Sequence, residues 1–240
     1  MSGLRAVVWG ASGGIGRALV EALASSGDYA VIYAGSRVPI SSPAEIVKPF
    51  AFDLLDEASI AEAAQNTLSG APIDLVIIAT GMLHSGPHQP EKQIAALTPE
   101  AMVAAYQVNT IGPAMIAKHM VPRLPRDRRS VLAALSARVG SIGDNRLGGW
   151  HSYRASKAAL NMIIANLAIE LARTHPQAIA VGLHPGTVDT RLSSPFQRSV
   201  PDGSLFSPEF SAGQLLSVIG GLQPASSGAV LAWDGQRIVP

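Results

Sequence analysis

The amino-acid sequence predicts an α/β fold, a doubly wound, mostly parallel seven-stranded sheet with helices on both faces. Short, wholly apolar runs alternate with helix-length segments along the 240 residues, and within those runs apolar and polar residues do not alternate. A strand with one wet face reads as an alternation, whereas a strand covered by helices on both faces reads apolar throughout. A succession of such strands and helices builds a parallel, doubly wound sheet.

Residues 4–9 form the first strand, followed by a glycine-rich turn and a helix over about 15–25. Residues 29–33 and 47–52 are the second and third strands, the Ala-rich stretch 57–68 is helical, and residues 75–79 are the fourth strand. Thr98 is placed to cap a helix whose first turn holds Pro99, a position where the missing N–H is not needed. That helix runs toward Met120, with a kink expected at Pro113. Residues 130–135 are the fifth strand, 152–173 a long helix, 179–183 the sixth strand and 229–233 the seventh. No repeat, low-complexity tract or linker divides the chain, so one domain over residues 1–240 is expected. The loosest stretch, residues 191–213 with Phe196, Phe206 and Phe210, reads as a lid over a site.

Composition narrows the function. Lys plus Arg number 18 and Asp plus Glu 17, a net charge of +1, which leaves no basic surface for bulk nucleic-acid binding. With 48% hydrophobic and 15% charged residues the chain carries a sizeable core. No Cys is present, which excludes disulfides, thiolate metal sites and cysteine nucleophiles. His84, His88, His119, His151, His175 and His184 show no metal-ligand spacing, so no metal is expected. Arg123, Arg126, Arg128 and Arg129 read as a solvated face. Apolar runs such as 75–79 and 163–171 are short for a membrane span, and Met1-Ser2-Gly3 leads straight into a strand. The expectation is a cytoplasmic protein with no membrane or nucleic-acid partner.

Two motifs carry chemistry. Gly10-Ala11-Ser12-Gly13-Gly14-Ile15-Gly16 lies between a strand and a helix, where glycines let the backbone turn tightly and bring free N–H groups to a pyrophosphate. Its Gly-x3-Gly-x-Gly spacing differs from the commoner dinucleotide fingerprint. Tyr153-Arg154-Ala155-Ser156-Lys157 opens the long helix, and residues four apart share a helix face, so phenol and ammonium can point into one cleft. Arg37 closes the second strand, where NAD-selective sites place an acid and NADP-selective sites an arginine. A guanidinium matches a phosphate well, so NADP(H) is expected over NAD(H).

With these motifs the chain resembles the short-chain dehydrogenase/reductase family along essentially its whole length. Further landmarks are Asp53 after the third strand, Asn109 in Val108-Asn109-Thr110-Ile111-Gly112, and Pro185-Gly186-Thr187-Val188-Asp189-Thr190 after the sixth strand. Residues 154–161 and Trp233-Asp234-Gly235 are most similar to small members related to C-factor and carbonyl-reductase-like proteins. The resemblance implies a Rossmann-type fold and hydride exchange between a nicotinamide cofactor and a small carbonyl or secondary-alcohol substrate. It also implies a homodimer or homotetramer. In the family's terms, Tyr153 is the general acid or base. A phenol has a reference pKa near 10, and the Lys157 ammonium beside it lowers that value. Lys157 also binds the nicotinamide ribose, and Asn109 holds a proton-relaying water. Gly10, Ser12, Gly14, Ile15 and Gly16 cradle the pyrophosphate. Asp53, with Leu54 next to it, accepts from the adenine amino group, while Thr80 and Gly81 follow the fourth strand. Pro185, Gly186, Val188 and Thr190 border the nicotinamide, with Val188 and Thr190 anchoring its carboxamide.

The sequence departs from the family in three places. Trp9 stands where the family has Thr, and Ala79-Thr80-Gly81 replaces its Asn-Asn-Ala-Gly. The catalytic serine, three residues before a glycine, is Ala137 when counted back from Gly140. Ser136 is expected in the oxyanion position, with Ser141, or no serine at all, as the alternatives. Loss of such a donor costs about 10²–10³ in rate. A catalytically weak or inactive dinucleotide-binding redox sensor or signalling protein is therefore the competing class. A sugar-nucleotide epimerase is disfavoured, since 240 residues leave no room for its substrate domain.

Overall fold

The computed structural model describes residues 3–67, 70–84, 86, 89–199, 201 and 203–240. The chain runs β1 (Leu4–Trp9), α1 (Gly14–Ser26), β2 (Tyr29–Ser36), β3 (Val47–Ala51), α2 (Glu57–Glu62), β4 (Leu75–Ile78), α3 (Pro99–Tyr106) and α4 (Gly112–Met120). It continues through β5 (Ser130–Leu135), α5 (His151–Thr174), β6 (Ala178–His184), β7 (Thr187–Val188), β8 (Leu205–Phe206), α6 (Pro208–Gly221) and β9 (Val230–Ala232). Seven strands form one sheet in the order β3-β2-β1-β4-β5-β6-β9, every pairing parallel. Strand order reverses between β1 and β4, so the chain leaves the sheet in opposite directions there and opens a crevice at the carboxyl edge.

The pleat sorts each strand between two cores. Ala6 and Val8 join Leu19 and Leu23 of α1 and Leu215 and Ile219 of α6 on one face. Val7 and Trp9 join Ile60 of α2, Ile116 of α4, and Leu160 and Ile164 of α5 on the other. The apolar strands are thus buried on both sides, which is why they show no alternation. Trp9 is fully buried and meets Phe50 at 5.0 Å and 81° and Phe52 at 4.8 Å and 84°, edge-to-face contacts. An aromatic wedge therefore stands at the position the family gives to a small hydroxyl.

Three elements differ from the sequence expectation. The helix over 57–68 is α-helical only through Glu62 and continues as a π turn, Ala63–Thr67; Leu68 lies outside the described residues. Between α3 and α4 a π turn, Gln107–Ile111, takes the place of a sharp kink at Pro113, with the Gly112 N–H donating to the Gln107 carbonyl. Pro113 would leave a carbonyl unpaired and clash with it in a regular helix, and the widened turn just ahead of it accommodates the ring. Residues 208–213, expected as part of a lid, begin α6. Ser207 caps this helix by accepting the Phe210 N–H, Pro208 occupies the first turn and Glu209 follows it. Half-buried Phe206 of β8 and exposed Phe210 of α6 meet Trp233 at 4.7 and 5.9 Å, so both rings pack on the seventh strand's end. Val200 and Asp202 of that stretch lie outside the described residues.

The arginine face is partly structural. Arg128 pairs with the buried Asp74 at 2.8 Å, and Arg129 donates to the Ile219 and Leu222 carbonyls at the end of α6. The aromatic wedge gives a direct expectation. Trp9→Ala should lower the urea-unfolding free energy by about 3–5 kcal/mol, the usual cost of emptying a buried aromatic site. A loss under about 1 kcal/mol would show that the wedge is not load-carrying.

Candidate active site

The crevice at the β1/β4 reversal collects the predicted residues. Gly10 turns out of β1 with φ +96°, and a Cβ on Gly16 would lie 2.2 Å from the Gly10 carbonyl oxygen. The first turn of α1 can approach β1 only because Gly16 lacks a side chain, while a Cβ on Gly10 would meet the Ala79 backbone at 2.9 Å. That turn has no side-chain cap and no acid, so its N–H groups are open to an anion, with Ser12 exposed and Ile15 half-buried beside them. Thr190, past β7, lies directly over Gly14, where a Cβ would come 2.7 Å from its methyl. The loop after β6 therefore closes on the β1–α1 turn.

At the far end, Arg37 and Asp53 line a cavity of about 540 Å³ together with Phe52, Ser59 and Glu62. The Asp53 carboxylate accepts the Leu55 N–H at 2.9 Å and shapes that corner. Leu54 turns away and packs on Gly112, where a Cβ would meet it at 2.6 Å. In the centre, the Thr80 hydroxyl is buried without a protein partner. Pro185 accepts from the Ser211 hydroxyl, Gly186 has φ +79°, and Val188 is buried with its carbonyl accepting from Ser193. An open helix N-terminus, an orphaned hydroxyl and a cavity with a guanidinium on its wall fit an extended, phosphate-bearing dinucleotide.

Tyr153, Lys157 and Asn109 come together beside this groove. Lys157 is 3% exposed, donates to the Leu135 carbonyl at 2.8 Å, and sits 6.0 Å from the centre of the Tyr153 ring. Asn109, in the π turn, accepts the Met82 N–H and donates to the Met82 carbonyl, both at 2.8 Å, and donates to Ser156 at 3.1 Å. A Cβ on Gly81 would lie 3.7 Å from Asn109 Oδ1, 3.8 Å from Lys157 Nζ and 3.9 Å from Leu192. Gly81 is thus the bare floor around which these groups meet. Burial pushes the Tyr153 phenol up to about 12 and the Lys157 ammonium down to about 8. Ammonium and phenol are both the forms held at neutral pH.

Both candidate serines are hydrogen-bonded within the scaffold. Ser136 is buried, and its hydroxyl donates to Asn161 Oδ1 of α5 at 2.6 Å. The pleat at the end of β5 aims it at α5, and a hydroxyl has a single proton to give. Ser141 is likewise buried and accepts the Asp144 N–H at 2.9 Å. Ala137 remains at the position between them.

An aromatic wall stands over Tyr153. Trp150 lies 6.2 Å from the Tyr153 ring and 5.2 Å from Phe196, and His84 lies 5.9 Å from Phe196. His84 and Phe196 are brought together from segments over a hundred residues apart, and His84 Nε2 is 3.3 Å from the Arg191 carbonyl. No sequence pattern linked His84 to the cleft. His151 is half-buried in the first turn of α5, and burial holds His184 down to about 4, hence neutral. His88 lies outside the described residues.

A parallel sheet reversing at β1/β4, with a glycine turn and a Tyr–Lys helix at the reversal, defines a nicotinamide-type oxidoreductase scaffold. The short chain dehydrogenase family model matches residues 5–200. An uncharacterized oxidoreductase of Schizosaccharomyces pombe is 30% identical over 251 residues, covering 96% of this chain and 95% of that one. A 1-hydroxy-2-glutathionyl-2-methyl-3-butene dehydrogenase of Rhodococcus is 30% identical over 76% of each chain, and C-signal of Myxococcus xanthus is 33% identical over 57% of this chain and 77% of its own. Among solved structures, NADPH-bound carbonyl reductase from chicken fatty liver superimposes with a TM-score of 0.84 at 26% identity, covering all of both chains. Carbonyl reductase Sniffer of Drosophila melanogaster shares the fold with a TM-score of 0.83 at 21% identity, again over both whole chains. The chain belongs to the short-chain dehydrogenase family and is an oxidoreductase.

The buried ammonium has a consequence for stability. Between the folded value of Lys157, about 8, and its ordinary value of 10.5, the unfolded chain holds a proton that the folded chain has released. Stability of the ligand-free protein should therefore rise with pH across that window, by about 2 kcal/mol from pH 7.5 to 9.5. Tyr153, raised from 10.0, acts in the opposite sense, but only above pH 10. Urea unfolding at the two pH values measures the rise, and Lys157→Met should abolish it.

Proposed function

We propose that the chain reduces a small, largely apolar carbonyl compound to a secondary alcohol, or runs the reverse, with NADP(H). The observation that carries this reading is the meeting of Lys157 and Asn109 at Gly81, with the Tyr153 ring 6.0 Å from the Lys157 ammonium, on the same sheet edge as the Arg37 cavity. When bound, NADP(H) supplies or accepts the hydride. The residues that would hold it are Gly10, Ser12, Gly14, Ile15 and Gly16 at the pyrophosphate, and Arg37, Asp53 and Leu54 at the adenosine end. Thr80, Gly81, Pro185, Gly186, Val188 and Thr190 would border the nicotinamide.

Tyr153 delivers the proton to the substrate oxygen. Its raised phenol is protonated at neutral pH and suited to act as acid, which favours the reductive direction. Lys157, still largely an ammonium at pH 7, stabilises the phenolate left behind. Asn109 braces the Met82 backbone and keeps the floor in place, and its π turn offers backbone positions for a relay water. With the Ser136 proton given to Asn161 and Ala137 in the family's serine position, the substrate oxygen leans on Tyr153, so carbonyls that are already electron-poor, such as activated ketones and quinones, should turn over fastest. Trp150, Phe196 and His84 form the apolar side of the cleft, and residues 191–199 form the described part of its lid. NADPH carbonyl reductase from chicken liver, similar over its whole length, supports both cofactor and reaction class.

A redox-sensing or signalling role is favoured by one observation, Ala137 in the serine position. NADPH consumption with a panel of reactive ketones and quinones, beside a binding titration, separates the two. Tyr153→Phe should lower kcat by about 10²–10³ or more with NADPH affinity unchanged. Arg37→Asp should remove most of the preference for NADPH over NADH. Tight NADPH binding with no turnover on any carbonyl would favour the sensor, and equal affinity of the unmutated protein for both cofactors would refute the Arg37 assignment.

The outward faces of the site helices point to self-association in a single-domain, cytoplasmic protein. Among the described residues α5 alone has the length and mean hydropathy, 1.2, that could cross a bilayer, yet it packs Leu160 and Ile164 into the core and buries Lys157. Its exposed Met162 and Ile169, with Val103 of α3 and Ile111 of the π turn, form an apolar face suited to a second copy of the chain. Sedimentation at micromolar concentration should give a dimer or tetramer, and Met162→Glu with Ile169→Glu should give monomer.

A further inference from the structure

The first turn of α5 has no cap of its own. Trp150 occupies the N-cap position without a side-chain oxygen and holds φ +50°, a left-handed conformation that is strained for a bulky side chain. The cap arrives from 61 residues away. Glu91, 5% exposed, accepts the Ser152 N–H through Oε2 at 3.1 Å and the Ser152 hydroxyl through Oε1. The Glu91 carbonyl accepts the Trp150 N–H as well. Burial pushes the Glu91 carboxyl up, but the two bonds from Ser152, a backbone bond of its own and the nearby His151 hold it below the ordinary carboxylate range. An anion therefore sits at the positive end of α5, where the backbone N–H groups lack helical partners. Tyr153 is the next residue along, and its ring faces Trp150.

We propose that Glu91 is a positioning residue for Tyr153: by capping α5 from the segment after β4, it fixes the turn that carries the phenol and holds Trp150 in its left-handed conformation against that ring. The inference rests on Tyr153 as the proton donor. Glu91 touches neither substrate nor cofactor in this role. It acts through Trp150 and Ser152, which lead into Tyr153 at the start of the helix, and a misplacement of about 1 Å at such a group costs up to about 10²-fold in rate.

Two variants separate charge and shape from mere bulk. Glu91→Ala removes the acceptor, whereas Glu91→Gln keeps an oxygen in place for Ser152. Glu91→Ala should lower kcat by about 10- to 100-fold with the KM for NADPH within about two-fold, and Glu91→Gln should recover most of the loss. Tyrosine-labelled NMR gives a readout without turnover: the Tyr153 ring resonance, assigned by its disappearance in Tyr153→Phe, should move in Glu91→Ala and return in Glu91→Gln. If the unmutated protein reduces no carbonyl, the functional reading fails while the resonance still decides this one. If Glu91→Ala does not fold, Ser152→Ala, which removes only the hydroxyl donor, should produce the same shift in smaller measure. A Tyr153 resonance unmoved by Glu91→Ala, or by Ser152→Ala where that variant stands in, overturns the proposal, as does a loss of kcat that Glu91→Gln fails to restore.

Discussion

The site depends on the reversal of strand order between β1 and β4. Because every pairing is parallel, all seven strands present their carboxyl ends on one edge, and the two connections that diverge at the reversal leave a gap that no helix covers. Into this gap come the β1–α1 turn, the residues after β2 and β4, the first turns of α5 and the loop after β6. Gly10 and Gly16 set how close α1 stands to β1, and Thr190 over Gly14 sets how close the β6 loop stands to both. The floor at Gly81 stays open only because no side chain fills it between Asn109 and Lys157.

Burial then determines the chemistry of the gap. The Tyr153 phenol and the Lys157 ammonium are both taken out of water, and with no carboxylate opposite them desolvation moves each toward its neutral form. The phenol is held as an acid, while the ammonium remains charged at neutral pH by a narrow margin. The serines beside them are drawn into the scaffold instead: Ser136 ties β5 to Asn161 of α5, and Ser141 shapes the following loop. In the proposed reaction, proton donation falls to the Tyr153 phenol, carried on the first turn of α5.

The departures from the family pattern compensate one another within the sheet. A hydroxyl at the end of β1 and asparagines after β4 would brace these strands by hydrogen bonds, whereas here Trp9 packs edge-on against Phe50 of β3 and Phe52 just past it, across the intervening β2. Apolar contact replaces polar bracing, and the Asn109 side chain takes over the Met82 backbone. Phe52 also lines the cavity beside Arg37, so the same aromatic packing that supports β1 shapes that cavity.

Most of the architecture was legible in the sequence because it is local. Wholly apolar runs give strands buried on two faces, glycines give the turn after β1, and a spacing of four puts Tyr153 and Lys157 on one helix face. The start of α6 was missed: Ser207-Pro208-Glu209 caps a helix inside the stretch 191–213 that reads as a loop because Phe196, Phe206 and Phe210 lie in it. The tertiary structure alone decided where hydroxyl protons and ring faces go. Whether Ser136 serves a substrate or Asn161 turns on one step of the pleat, and a single-residue shift of register along a strand reverses it. The pairing of His84 with Phe196, and of Glu91 with Ser152, joins segments that no sequence period connects. Such contacts follow from the folded path of the chain, since a hydrogen bond or a ring contact depends on distance in space and not on separation along the sequence.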